Sequence, residues 1–233
     1  MHALIASSAQ RHQTTPVFPS VAGLLSRVRG EGTLTLGVDV STWTDLSGLG
    51  NSPVQANAAK RPVGVTGPNG KLAAYFNSST SDFMDVAIAA MVFPPFTIFI
   101  VYKSVSLGGV GTNDFICDGK NNATMGLLSD NTPRSYIYGG TTLLTPSVVA
   151  NGVYAYETAI FTSDTTSLIR VGGQQVATGS SGSRRTDGYT LGAGGGGVRC
   201  GNVEIAEFAI AGAVCSAGEI FGVESYFRSY YAL

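Results

Sequence analysis

Charge is what this 233-residue chain has least of. Its 14 Lys and Arg and 15 Asp and Glu make up 12% of the residues and leave a net charge of −1, against about 25% charged residues in an ordinary domain. No cationic excess is present to neutralise a run of phosphates, so nucleic acid is not an expected partner. Histidine is scarcer still: His2 and His12 are the only two, which excludes a histidine-based metal centre or catalytic triad in the body of the chain. Cys117, Cys200 and Cys215 have no Cys-x-x-Cys spacing, so neither a disulfide framework nor a thiolate zinc site is expected. The most apolar stretch, Val86 to Tyr102, is broken by Pro94 and Pro95 and falls short of the roughly 20 residues that span a bilayer. The run from Met1 to Ala6 is too short for a signal peptide's apolar region. Neither membrane insertion nor ordinary secretion is expected.

What fills the chain instead is Gly, Ser and Thr, together about a third of it. A neutral, hydroxyl-rich surface lacks the charge that keeps monomers apart, and points to an assembly or an extracellular particle. Residues 1–17 read as a polar amino-terminal arm, and residues 18–233 as one domain. Val21, Leu24, Leu25 and Val28 have the spacing of a short amphipathic helix. From Thr33 onward period two dominates, with strands predicted at 33–36, 38–46, 72–76, 96–102, 114–117, 123–128, 135–138, 153–161, 167–171, 175–177, 189–191 and 204–210. Gly172 and Gly173 mark a hairpin turn. Ser216 and Glu219 have the form of a capping box, opening a helix over 217–230 with Ile220, Val223, Phe227 and Tyr230 on one face. About a dozen short strands with no intervening helices predict an all-β antiparallel sandwich.

Chemistry-bearing motifs are sparse. Glu204 and Glu207 are three apart, so a regular strand places them on opposite faces, and only a bulge between them restores a glycosidase-like carboxylate pair. Gly-x-Ser-x-Gly does not occur. The glycine run from Gly192 to Gly197 lacks the Gly-Lys-Ser/Thr ending of a phosphate loop and reads as a flexible turn. No cofactor is expected; the calcium candidates are Asp82, Asp85, Asn113, Asp114 and Asp118, near predicted strand ends but without an EF-hand pattern. A sugar site would draw on Tyr136, Tyr138, Tyr154 and Tyr156.

Three segments carry a resemblance. Residues Val40 to Asn51, with Arg61-Pro62, Pro68 to Gly70 and Ala74 to Asn77, resemble the opening of concanavalin A-like, laminin-G-like jelly-roll domains of bacterial and phage surface proteins. Pro95 to Tyr102 is similar to their first long core strand, and Gly201 to Ile210 with Ser216 to Phe227 to their last strand and closing helix. The resemblance covers residues 30–233 and implies a jelly-roll sandwich with a short amino-terminal and a carboxy-terminal helix. It implies that Trp43 packs in the sandwich, that Asp45 and Asn51 brace the Ser47-Gly48 turn, and that Glu207 accepts hydrogen bonds beside the closing helix. With no secretion signal and no well-spaced carboxylate pair, it implies a non-enzymatic virion structural protein: a capsid decoration, fibre or tail component assembled in the host cytoplasm. Its partners would be other virion proteins or further copies of itself, a trimer among them. The alternative is a lectin-like carbohydrate-binding module, and a glycoside hydrolase comes third.

Overall fold

The computed structural model describes residues 15–106, 114–120, 127–129, 134–146, 150–162 and 165–233. His2, His12, Asn113, most of the polar arm and most of the strand expected at 123–128 lie outside the described residues. The strands in chain order are β1 Leu24–Arg29, β2 Val63–Thr66, β3 Leu72–Phe76, β4 Met84–Val92, β5 Phe96–Ser106, β6 Asp114–Gly119 and β7 Leu127–Ser129. They continue with β8 Tyr136–Tyr138, β9 Thr142–Leu144, β10 Ala155–Phe161, β11 Ser167–Val171, β12 Gln174–Gly179, β13 Thr186–Leu191 and β14 Asn202–Ala211, and the chain ends in helix α1, Ala217–Tyr231.

These strands form three antiparallel sheets. The largest has eight strands in the order β12-β11-β10-β5-β14-β3-β2, with β1 also on β14; the second runs β4-β13-β6-β7, and β8-β9 is a separate pair. Strand β5 is central because Phe96 through Tyr102 are all buried, and a strand covered on both faces reads as a continuous apolar run. Its Ile98, Ile100 and Tyr102 meet Tyr189, Leu191 and Cys117 of the four-stranded sheet in the main core. Phe99 and Val101, on its other face, join Val223, Phe227 and Tyr231 of α1 in a second core.

The expected two-sheet jelly-roll sandwich with an amino-terminal helix is thus corrected to an all-β fold of three sheets with one carboxy-terminal helix among the described residues. The segment expected as a helix is β1, which pairs with β14 from Leu24 opposite Ala211 to Arg29 opposite Glu207. Along β14, β3 occupies 203–205 and β1 occupies 207–211, and satisfying that backbone edge outweighs a weak helical periodicity. A register shift between Leu24 and Ser26 explains why the spacing looked helical: two residues crowd one strand position there. Thr33 to Leu36, which alternates cleanly, forms no strand, because its backbone turns back on Gly30.

Residues named for structural roles lie at the joints of this fold. Trp43 is fully buried and its indole N–H donates to Arg29 O at 3.0 Å and Thr33 Oγ1 at 3.1 Å. The Asp45 carboxylate accepts N–H groups from Arg27 (2.9 Å), Ser47 (3.0 Å) and Asn51 (2.9 Å), while Asn51 Nδ2 donates to Leu25 O at 2.7 Å. Burial opposes ionisation of Asp45, but these backbone donors outweigh it and hold the carboxyl below its ordinary range. Glu207 is buried under α1, accepting from Arg27 Nε (2.6 Å), Tyr226 (3.1 Å) and Tyr231 (2.7 Å).

At the start of α1, Ser216 Oγ accepts from Glu219 N (3.3 Å), and Glu219 accepts from Ser216 N (2.8 Å) and from Ala22 N (2.7 Å). Ser216→Ala removes the hydroxyl acceptor and is expected to lower the melting temperature by about 3 °C. An unchanged midpoint in thermal denaturation would mean that Glu219 alone holds this end of the helix.

Candidate functional site

The four tyrosines named as sugar platforms do not converge. Tyr156 is buried against α1, its ring 6.1 Å from that of Phe227. Tyr154 packs against the same helix-side cluster, donates its hydroxyl to Glu204 and lies under Lys103 Nζ at 4.9 Å. Burial and the Glu204 carboxylate push its phenol well above the ordinary range. Tyr136 and Tyr138, on β8, belong to a different region, in a small cluster with Phe115.

The calcium candidates are equally dispersed. Asp82 accepts from Asn77 N at 3.1 Å, and burial raises its carboxyl above the usual value. Asp85 pairs with Lys120 at 3.5 Å. Asp118 accepts from Gly119 N and Gly195 N, each at 2.8 Å. Asp114 opens β6, and its side chain lies outside the described residues. Among the described residues no three His, Cys, Asp or Glu gather into a metal-binding group.

The carboxylate spacing argument also changes. Strand β14 carries a register shift between Ile205 and Glu207 against β5. Val203, Ile205, Phe208 and Ile210 face the main core and Ala206 the helix-side core. Because of that bulge, Glu204, bound by Tyr154, and Glu207, bound by Tyr226 and Tyr231, share the helix side of the sheet. Spacing therefore does not separate them, although α1 seals Glu207 from solvent.

Side chains converge on open space in a cleft of about 800 Å³ beside β6, within the usual size of ligand sites. Strand β6 supplies Phe115 and Asp118, the turn after β4 supplies Phe93, the segment before β13 supplies Arg184 and Arg185, and the β13–β14 loop supplies Arg199. Phe93 is 58% exposed, and the Arg185 guanidinium sits 5.6 Å from the centre of its ring. Arg184 lies 5.3 Å from the ring centre of Tyr138, and its backbone N–H donates to Gly139 O at 2.8 Å.

The glycine run makes this geometry possible. Gly194 N donates to Val198 O at 2.7 Å and Gly197 N to Gly194 O at 2.9 Å, closing a tight turn onto the Asp118 carboxylate. A Cβ on Gly195 would lie 2.5 Å from Gly119 O, so only glycine allows this approach. The run expected to be a flexible turn is a held one. Its glycine density was the sequence signal for the site; the arginines and Phe93, spread over more than a hundred residues, offered none beyond the Arg184-Arg185 doublet.

No protein-family model and no curated protein sequence matches the chain. Its fold does match solved structures. Trypanosoma rangeli sialidase in complex with sialic acid is 13% identical, with a TM-score of 0.62, over 91% of this chain and 34% of that one. The binding domain of Paraclostridial Mosquitocidal Protein 1 is 13% identical, with a TM-score of 0.66, over 89% and 52%. Domain 4 of AbnA, a GH43 extracellular arabinanase from Geobacillus stearothermophilus, in complex with arabinotriose, is 11% identical, with a TM-score of 0.63, over 88% of this chain and 100% of that domain. At such identities the likeness is one of fold, and the chain spans about a third of the sialidase.

These matches correct the expected concanavalin A-like, laminin-G-like assignment: the fold is similar to parts of the sialidase and the toxin binding domain and to the arabinanase domain. They also correct the virion structural reading, with its host-cytoplasmic assembly and its virion or self-assembly partners: the neighbours described here are a sialidase, a toxin binding domain and part of an arabinanase. The exclusion of an enzyme is withdrawn too, since its spacing premise fails at the β14 bulge and the matched chains include a sialidase described as a covalent intermediate. Among the described residues no helix is long and apolar enough to cross a membrane.

Proposed function

We propose that the chain is a carbohydrate-binding module and that the cleft beside β6 is its sugar site. The observation that carries this reading is the pairing, in one open cleft, of the exposed Phe93 ring with the side chains of Arg184, Arg185 and Arg199. A pyranose or furanose presents an apolar C–H face and a rim of hydroxyls. An exposed aromatic ring covers the first, and guanidinium donors bind the second. The match to AbnA domain 4 over its whole length supports this reading, because that domain is described with arabinotriose.

The test is saturable binding to a panel of immobilised oligosaccharides. Phe93→Ala is expected to weaken binding roughly tenfold, the loss of one aromatic contact, whereas Tyr156→Phe, on the helix side, leaves it unchanged. Absence of any glycan ligand, or equal binding by Phe93→Ala, removes the proposal. Reducing ends released in the same samples would extend the reading to hydrolysis.

A further inference from the structure

Resting on the carbohydrate reading, we infer that the ligand of this cleft is an acidic saccharide, whose carboxylate or sulfate group is received by Arg185 and Arg199, with Arg184 beside them. The argument begins with a contrast. The whole chain carries a net charge of −1 and very few charged residues, yet three guanidinium groups line one cleft. Asp118 is the one carboxylate among the described lining residues, and it is 4% exposed and already accepts two backbone N–H groups. Each of its oxygens is taken by one of those N–H groups, while all three arginines are exposed. Among the described residues neither Arg185 nor Arg199 takes part in an ion pair. Among the described residues, Arg185 and Arg199 therefore bring positive charge to the cleft without a salt-bridge partner.

Arginine is suited to this task. Its planar fork matches a carboxylate or sulfate through two parallel N–H···O bonds, and aromatic packing reduces the rotamer freedom lost on binding. Here Arg184 is backed by Tyr138 and by Gly140, where an added Cβ would lie 3.5 Å from Arg184 Cγ, and Arg185 is backed by Phe93. Arg199 is held through its backbone, since its carbonyl accepts Phe115 N–H at 3.2 Å. One exposed ion pair contributes little. Several guanidinium groups facing one anion across a partly enclosed cleft reinforce each other, because charge in a confined site is less screened than on an open surface.

The experiment is calorimetric titration of the whole chain with four probes: trigalacturonic acid, its methyl ester, a sulfated chondroitin disaccharide and arabinotriose. The acid is expected to bind roughly tenfold more tightly than its ester, and the preference should shrink as salt is raised from about 0.05 to about 0.5 M. The double variant Arg185→Gln/Arg199→Gln, checked for an unchanged melting temperature, should reduce the acid to the ester's affinity and leave the ester unaffected. Binding of the sulfated disaccharide in place of the galacturonate would assign sulfate as the anionic group and still support the proposal. Equal binding of acid and ester, or an acid preference that survives in the double variant, overturns it while the carbohydrate reading stands. Failure of all four probes to bind overturns both.

Discussion

Replacing Phe227 with Ala is expected to destabilise the protein by roughly 3–5 kcal/mol and to lower its melting temperature by about 10 °C. Phe227 has no exposed surface. Its ring lies 5.7 Å from Tyr226, 6.1 Å from Tyr156 and 6.2 Å from Tyr231, in the core that α1 builds against Phe99, Val101 and Ala209 of the large sheet. Truncation leaves a cavity whose walls belong to strands paired on both sides, so the site collapses poorly and the cost falls toward the upper part of that range. The cleft beside β6 is made of other elements, and the glycan binding proposed for it should survive the substitution below the melting transition. A midpoint equal to wild type would show that the helix face is not part of the core.

The second large effect concerns Glu157, a carboxyl buried in the large sheet with its side chain beside Tyr102. Tyr102 donates to Glu157 Oε2 at 3.0 Å, while Oε1 has no hydrogen-bond partner among the described residues. Burial raises this carboxyl to about 7; the Tyr102 and Ser135 hydroxyls oppose the shift, Ser135 only weakly because its Oγ also makes no hydrogen bond. In the unfolded chain the group ionises near its model-peptide value of 4.5, so between pH 4.5 and 7 the folded state holds more protons than the unfolded state. The stability this group contributes is complete below pH 4.5 and is lost as pH rises through 7, a change of about 3 kcal/mol. Glu157→Gln keeps the shape and removes the ionisation. It should match wild type near pH 4.5 and exceed it by up to about 3 kcal/mol at pH 8. Urea denaturation of both proteins at pH 4.5, 6 and 8 measures the difference; parallel curves would mean that the buried carboxyl reaches water or a cation.

Strands β5 and β14 and helix α1 were legible because each carries a strong local pattern. Phe96 to Tyr102 is a continuous apolar run, residues 202–211 are dense in apolar side chains, and Ser216 with Glu219 forms a capping box whose every atom lies within four residues. β1 was misread because its helical spacing is weak and its conformation is decided by a β14 edge about 180 residues away. The same strand hid the bulge that brings Glu204 and Glu207 to one side, since a bulge depends on the partner strand's register and leaves no mark on spacing.

The sequence by itself determined the chemical inventory: an all-β pattern with a capped closing helix, almost no histidine, few charges and no metal-ligand spacing. It also excluded histidine-based catalysis outside the first twelve residues. Only the tertiary structure decided which residues share a site. Phe93, Asp118, Arg184, Arg185 and Arg199 come from four separate segments, and nothing in local spacing relates them. Sheet pairing between β4, β13 and β6 sets their distances, and the Gly195 turn seats the loop that carries Arg199 against β6. Periodicity reports which face of an element is buried. It carries no information about which faces of distant elements meet, because that is settled by backbone hydrogen bonding and packing across the whole chain.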